Sequence, residues 1–407
     1  MSSNGWKKGR MKDCIAGLES GVSVNGLDRT PEANEAAVLK VSAVTYGYFD
    51  EFAAKPISGK ELTRANCTPK KDSIIISRAS GSPKHVGASA YVPADYPNRF
   101  LSDKLWQVTA NDLACPQWLF ALVSSPRMRA KMLMFATGTN IKNITKSEFL
   151  EIKISIPPLE EQKAIADVLS TWDRAISTTE RLIQAKEKKL DAYGRSLFDR
   201  NQNGKYPGWE LIKLADVLDE HGDKSAGKEE VFSVSVHKGL VNQIEHLGRS
   251  FSAAKTDHYN RVHHGDIVYT KSPTGDFPWG IVKQSYTPED VIVSPLYGVF
   301  TPQTHDLGIV LDFYFSSPTR ATNYLFPIVQ KGAKNTIAIT NKTFLSKKLH
   351  LPTDKSEQKK VAEYVVTARK EIDLLKKLAA KYKAQKRGLM QKLLTGTWRV
   401  NIEEAVK

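Results

Sequence analysis

The sequence predicts two mixed α/β (α+β) domains in tandem, separated by two long helices that form an intramolecular antiparallel coiled coil, a pseudo-two-fold dumbbell. Three observations carry this: a long amphipathic stretch in mid-chain, a degenerate second copy of it near the end, and a faint repeat between the globular parts that precede them.

The first long stretch, IPPLEEQKAIADVLSTWDRAISTTERLIQAKEKKLDAYGRSLF from Ile156, starts with a two-proline stop and holds no further Gly or Pro until Gly194. Counted in sevens, one stripe takes Leu169, Ile176, Ile183, Leu190 and Leu197, and the other takes Ile165, Trp172, Thr179, Lys186 and Tyr193. That is a coiled-coil seam with charged faces between. At about 1.5 Å per residue, Glu160 to Phe198 spans roughly 58 Å. A single helix of that length cannot bury its own stripe, so it needs a partner.

The stretch from Leu351 to Leu394 supplies one. Glu161-Gln162 matches Glu357-Gln358, an offset of 357 − 161 = 196. At that offset a second seam falls on Val365, Ile372, Ala379, Lys386 and Leu393 with Val361, Ala368, Leu375, Tyr382 and Leu389. The competing reading, two unrelated amphipathic helices on separate cores, leaves the repeated Glu-Gln unexplained.

The globular parts repeat in the same order. Gly5-Trp6 answers Gly208-Trp209, VLKVSAV at Val38 answers VFSVSVH at Val231, KKDSIIISRASG at Lys70 answers HHGDIVYTKSPTG at His263, and NITKSEFLEI at Asn143 answers AITNKTFLSK at Ala338. Val38–Val44, Ser73–Ser77, Phe232–Val236 and Asp266–Thr270 read as strands bounded by turn formers. The apolar stretches from Trp118 and Leu311 read as helices interrupted at Pro126 and Pro318. A second domain about 40 Å across, from a radius of gyration near 15 Å, cannot bridge the 58 Å that parallel helices would require, so the pair is expected to run antiparallel.

The chain of 407 residues has room for two or three domains. Its 59 Lys and Arg against 44 Asp and Glu give +15, which points first to nucleic acid, with plain basic solubility as the alternative. No run approaches a membrane span and the start lacks the apolar stretch of a signal peptide, so a cytoplasmic location is expected. Cys14, Cys67 and Cys115 form no Cys-x-x-Cys, so they suggest neither a disulfide framework nor a zinc site.

Two basic globes on a rigid spacer suit two unlike DNA half-sites. The candidate DNA-reading loops follow the matched strands. The first domain offers Ser77, Arg78, Ser80 and Lys84, with Thr139, Asn140 and Lys142 on a second loop. The second domain offers Lys271, Ser272 and Thr274, with Lys331, Lys334 and Asn335. Small residues there let backbone approach a ligand and the cations suit phosphate, although all could be solvated turns. No phosphate-binding Gly motif and no Asn/Asp-Pro-Pro-Tyr/Phe run of a base-flipping methyltransferase is present. Seven of the nine His lie between His221 and His305, yet none has an i,i+4 partner on a plausible helix, so no metal site is expected. Asp72 and Asp266 read as turn-fixing residues.

IPPLEEQKAIADVLSTWDRAI, the degenerate LPTDKSEQKKVAEYVVTARKEID from Leu351, the strand and loop KDSIIISRASGS, and LMQKLLTG at Leu389 together resemble the specificity subunit of type I restriction-modification systems. The resemblance covers essentially the whole chain and is carried most specifically by the Pro-Pro-Leu-x-Glu-Gln-x-x-Ile-Ala helix start. It implies target recognition domains at 1–156 and 201–352, helical spacers at 157–200 and 353–396, and a tail at 397–407. It implies a non-catalytic subunit that binds an asymmetric bipartite site on double-stranded DNA. Two modification subunits would use S-adenosylmethionine to methylate adenine, and restriction subunits would use ATP and Mg to translocate and cut DNA. Subunit docking is expected near Glu161, Gln162, Glu357 and Gln358. The second helix departs from the pattern, with Thr353-Asp354-Lys355 in place of a Pro-Leu-x run, which puts one docking surface in doubt. A stand-alone DNA-modifying enzyme with an irregular site, or a coiled-coil scaffold, is the competing reading.

Overall fold

The computed structural model describes residues 5–199, 207–244, 256–331 and 337–400, with residues 330 and 331 described by backbone alone. The chain divides into two compact units, Met1–Thr179 with Leu378–Lys407, and Glu180–Lys377. Each unit takes one globular domain and half of each long helix, because each half-helix lends its apolar stripe to the core beside it.

In the first unit, Lys7–Arg10 pairs antiparallel with Lys153–Ile156, so the first and last strands of the domain form one ribbon. Its main sheet runs Ile15–Ser20, Leu105–Ala110, Ile74–Ser77, Ser89–Tyr91 in spatial order, all antiparallel. Ile74, Ile75 and Ile76 are wholly buried, as expected of a central strand covered on both faces. The helices Pro116–Ser124 and Pro126–Phe135 meet at Ser125, whose hydroxyl accepts from the Met128 N–H. Pro126 at the first helical position needs no N–H donor, so the proline that ends one helix starts the next.

The second unit repeats this plan. Trp209–Lys213 pairs with Lys348–Pro352, and the main sheet runs Leu218–Asp219, Gly298–Pro302, Ile267–Tyr269, Val282–Gln284. The helices His305–Phe315 and Pro318–Leu325 meet at Ser317, which caps the second through the Arg320 N–H. Thr145 and Thr340 cap the equivalent short helices Lys146–Leu150 and Asn341–Phe344.

One expected strand is shorter than its apolar pattern. Ala37–Leu39 is a strand, but Val41–Ala43 winds into a 3-10 turn. Its neighbours, Ala54–Pro56 and Arg99–Phe100, are short, so beyond Leu39 there is no ladder to continue.

The long helices span Leu159–Gly194 and Lys355–Leu393. Pairing is antiparallel within each unit. In the first, Ile165 and Leu169 share a core with Met390 and Leu393, while Trp172 meets Tyr382 edge-on at 5.6 Å. In the second, Lys186 and Glu187 pair with Glu371 and Lys376 at 2.7 and 2.6 Å, and Tyr193 packs on Tyr364. The seam lysines Lys186 and Lys386 are accommodated by stretching to acids on the facing helix, Lys386 reaching Asp173 at 2.5 Å. No described helix is long and apolar enough to cross a membrane.

Candidate nucleic-acid interface

In the first unit the two candidate loops are one surface. Ala79–Ser80, which follows the buried strand Ile74–Ser77, pairs antiparallel with Lys142–Asn143, Ser80 opposite Lys142. The Ile144 N–H donates to the Arg78 carbonyl at 3.1 Å, and Thr137 bridges Asn143. Gly138, at φ +105°, makes the turn possible, since a side chain there would run into the Ile141 carbonyl. The loop tip is exposed at Thr139, Asn140 and Ile141, as is Lys84 on the other loop. Met134 and Phe135, at the end of the preceding helix, are exposed too.

Three of the candidate residues here do not face solvent as expected. Ser77, at the end of the covered strand Ile74–Ser77, and Ser80, on the short strand Ala79–Ser80, are both buried, and the Ser77 hydroxyl has no hydrogen-bond partner among the described residues. Arg78 is half-buried and spends its Nε–H on the Asp103 carbonyl at 2.6 Å. Lys84, Thr139, Asn140 and, half-buried, Lys142 remain available to a ligand.

In the second unit the equivalent loop is a hairpin tip. Thr274 and Phe277 exchange backbone hydrogen bonds, leaving Ser272 and Thr274 exposed. Lys271 sits at φ +52°, a conformation costly for a side-chain residue. Burial, which strips water from the charged group, pulls its ammonium pKa down. Trp279 packs at 5.5 Å on exposed Phe326, at the end of the helical segment leading to strand Gln330–Lys331. Lys331 is placed by its backbone on that strand, while Lys334 and Asn335 lie outside the described residues.

The docking candidates at the helix heads are mostly internal. Glu161, Gln162 and Gln358 are buried, contrary to the exposed role expected of them. The Gln162 amide donates to the Leu113 and Pro157 carbonyls at 2.9 and 3.0 Å and accepts from the Cys115 N–H at 2.8 Å. Gln358 donates to the Pro352 carbonyl at 3.0 Å and accepts from Thr304 Oγ1 at 2.6 Å. Each glutamine therefore clamps a helix head to the domain that precedes it. Glu357 is half-buried and faces Lys360 on its own helix. The altered head of the second helix is functional as a start: the Asp354 side chain accepts from the Ser356 N–H and its carbonyl takes the Gln358 N–H.

Helical spacing does not join His221, Asp223 and His263, yet their ligand atoms lie within 4.8 Å of one another. Burial alone would lower the His263 imidazole, but Asp290 and Asp223 outweigh it and raise it above its ordinary value. The available signal was the repeated His-Gly-Asp, at His221 and again at His264 before the strand Ile267–Tyr269.

Comparison with known proteins matches this architecture. Residues 33–187 match the type I restriction modification DNA specificity domain. The chain is 28% identical over 291 residues to the type I restriction enzyme MjaVIII specificity subunit of Methanocaldococcus jannaschii, covering 65% of this chain and 66% of that one. It is 24% identical over 280 residues to the putative MjaX specificity subunit of the same organism, covering 65% and 63%. The matched region thus spans just under two thirds of each relative. Among solved structures, the S subunit of a type I restriction-modification system from M. genitalium aligns over 97% of this chain and 98% of its own, with a TM-score of 0.60 at 15% identity. That likeness shows the fold. Repeated sheet and paired helices give the chain a tandem-domain fold like that of this S subunit. The chain is thus similar to the specificity subunits of type I restriction-modification systems, and its residues 33–187 match their DNA specificity domain.

Proposed function

We propose that this chain reads an asymmetric, two-part sequence in double-stranded DNA and so directs adenine methylation and restriction by partner subunits in the cytoplasm. The observation that carries the reading is the repetition of one sheet order in two unlike units, each sending a central strand into a small-residue, cation-bearing loop. Two unlike readers suit two unlike half-sites, and residues 1–156 and 201–352 are the proposed target recognition domains. Lys84 and Lys142 suit phosphate, while Asn140 and Thr139 suit base edges. Lys271, Ser272 and Thr274 take the equivalent part in the second domain, with Lys331, Lys334 and Asn335 as further candidates.

The chain itself carries out no bond chemistry in this reading. S-adenosylmethionine would be held by two modification subunits, and ATP with Mg by restriction subunits. Because Glu161, Gln162 and Gln358 are occupied internally, those partners would meet other exposed residues of the long helices. The test is to map adenine methylation in cells carrying this chain with its modification partner. One bipartite motif of constant gap, lost when the chain is omitted, is expected. Unchanged methylation without the chain, with an active partner, would overturn the reading.

A further inference from the structure

His221 and His263 reach the same point from two segments of the second unit. His221 follows the edge strand Leu218–Asp219, and His263 lies in the turn between Asn260–Val262 and Ile267–Tyr269. Their rings stand 5.2 Å apart. Between them lies the Asp223 carboxylate, with Oδ2 at 3.1 Å from His263 Nε2 and 3.5 Å from His221 Nδ1. For a tetrahedral ion with ligands at about 2.0–2.1 Å, neighbouring ligand atoms are about 3.3 Å apart. The two observed separations bracket that edge.

The far side of each ring is arranged as a ligating histidine requires. His263 Nδ1 faces Asp290 Oδ1 at 2.9 Å, and His221 Nε2 faces Asp266 Oδ2 at 3.1 Å. A carboxylate behind an imidazole fixes the tautomer, orients the ring and raises its basicity toward a metal. Asp266 is itself buried and held by the His263 N–H at 2.7 Å and Thr301 Oγ1 at 2.7 Å, so this backing is rigid. The Asp223 N–H donates to His221 Nδ1 at 3.1 Å, which keeps that nitrogen an acceptor; the lone pair it occupies is the one an ion would take. With His263 protonated on the Asp290 side, its Nε2 lone pair and the Asp223 oxygen would face each other as two acceptors, an arrangement that a cation resolves.

We propose that His221, Asp223 and His263 form a site for a divalent cation of the zinc class, with Asp266 and Asp290 as its supporting carboxylates. Two imidazoles and one carboxylate with a fourth position open to water suit zinc better than the all-oxygen ions calcium and magnesium. The ion would tie the segment leaving the edge strand to the turn that feeds the central strand, next to the small valine core of Val262, Val268, Val291, Val293 and Val299. Among the described residues the first unit has no such group, and Lys70-Lys71-Asp72, which answers the stretch from His263 to Asp266, holds no histidine. The site would belong to one half of the repeat alone.

The full, untagged chain, stripped with chelator and dialysed, is titrated with Co2+ as a visible probe and then with Zn2+. One equivalent of Co2+ should give the visible bands of a four-coordinate ion, Zn2+ should displace it, and Zn2+ should raise the melting temperature. His263→Gln and Asp223→Asn should abolish the bands while exposed His237→Gln keeps them. Asp290→Asn, which leaves every ligand in place, should weaken affinity by about 10–100-fold. Circular dichroism checks that each variant is folded. No cobalt spectrum at tens of micromolar, or binding by folded His263→Gln and Asp223→Asn equal to that of the parent, would overturn the assignment. If those two variants do not fold, binding by Asp290→Asn equal to that of the parent overturns it instead.

Discussion

Arg399 grips the buried carboxylate of Glu161 with two hydrogen bonds, Nε to Oε1 at 2.5 Å and Nη2 to Oε2 at 2.6 Å. The Trp6 indole N–H donates to the same carboxylate at 2.9 Å, and the guanidinium lies 5.6 Å over the Trp6 ring. A residue near each end of the described chain and one at a helix head thus share one charge. In the first copy of the repeated Glu-Gln, the glutamate is a fastening, whereas Glu357 in the second faces Lys360 on its own helix.

Arg399→Ala should strip Glu161 of its main partner and leave a carboxylate at 1% exposure without a countercharge. Breaking a fully buried pair costs ~3–5 kcal/mol, but Arg399 is partly exposed, so a loss of about 2 kcal/mol is expected. Urea unfolding, followed by the fluorescence of the tryptophans, measures it.

Asp312 and Arg369 give a pH-dependent counterpart in the second unit. Burial alone would raise the Asp312 carboxyl, but Arg369 at 2.5 Å and Lys283 at 3.9 Å outweigh it and hold it below the usual range. The folded value is depressed, so this stabilisation is present above the unfolded carboxyl value of about 3.9 and is lost as pH falls through the lower folded value. Arg369→Met should reverse the sign: with burial dominant the carboxyl rises, and the stability deficit should grow as pH rises. Unfolding free energies between pH 3 and 7 should show a deficit of about 3–5 kcal/mol at the upper end. A deficit independent of pH would show that packing, and not charge, was lost.

Gln162→Ala should loosen the first helix head by removing one acceptor and two donated bonds from a buried site. Leaving the Cys115 N–H and two carbonyls unpaired is expected to cost about 1–3 kcal/mol. Hydrogen exchange should localise the change to residues 113–115 and the first helical turn, with strand Ile74–Ser77 unaffected.

For DNA reading, Lys142→Ala and Lys84→Ala should weaken binding by the assembled complex on all sequences alike and lower the salt slope by about 1 each. Asn140→Ala should instead cost about 1–3 kcal/mol on the cognate site only. Fluorescence anisotropy at several salt concentrations, on cognate and scrambled duplexes, separates the two behaviours.

Period and punctuation made the architecture legible. The sevenfold spacing gave both helices, Pro126 and Pro318 located both helix junctions, and the paired motifs anticipated one domain plan used twice. What stayed hidden depends on contacts distant in sequence. Whether Ser77 points inward depends on what covers its strand, and nothing in SIIISRASG says so. Arg99 reads as an ordinary surface cation, yet it is buried and donates to the carbonyls of Glu35 and Glu51. The histidine cluster joins residues about 40 apart through sheet pairing, which no local window reports. Val41–Ala43 failed as strand because its neighbours stop, a property of other segments.

The ribbons that close each domain set its connectivity. Lys7 lies opposite Ile156 and Trp209 opposite Pro352, so in each unit the chain enters and leaves through adjacent strands just ahead of a long helix. Such a domain has the connectivity of a cassette: its interior can gain or lose length between the two strands without shifting the register of the helix behind it.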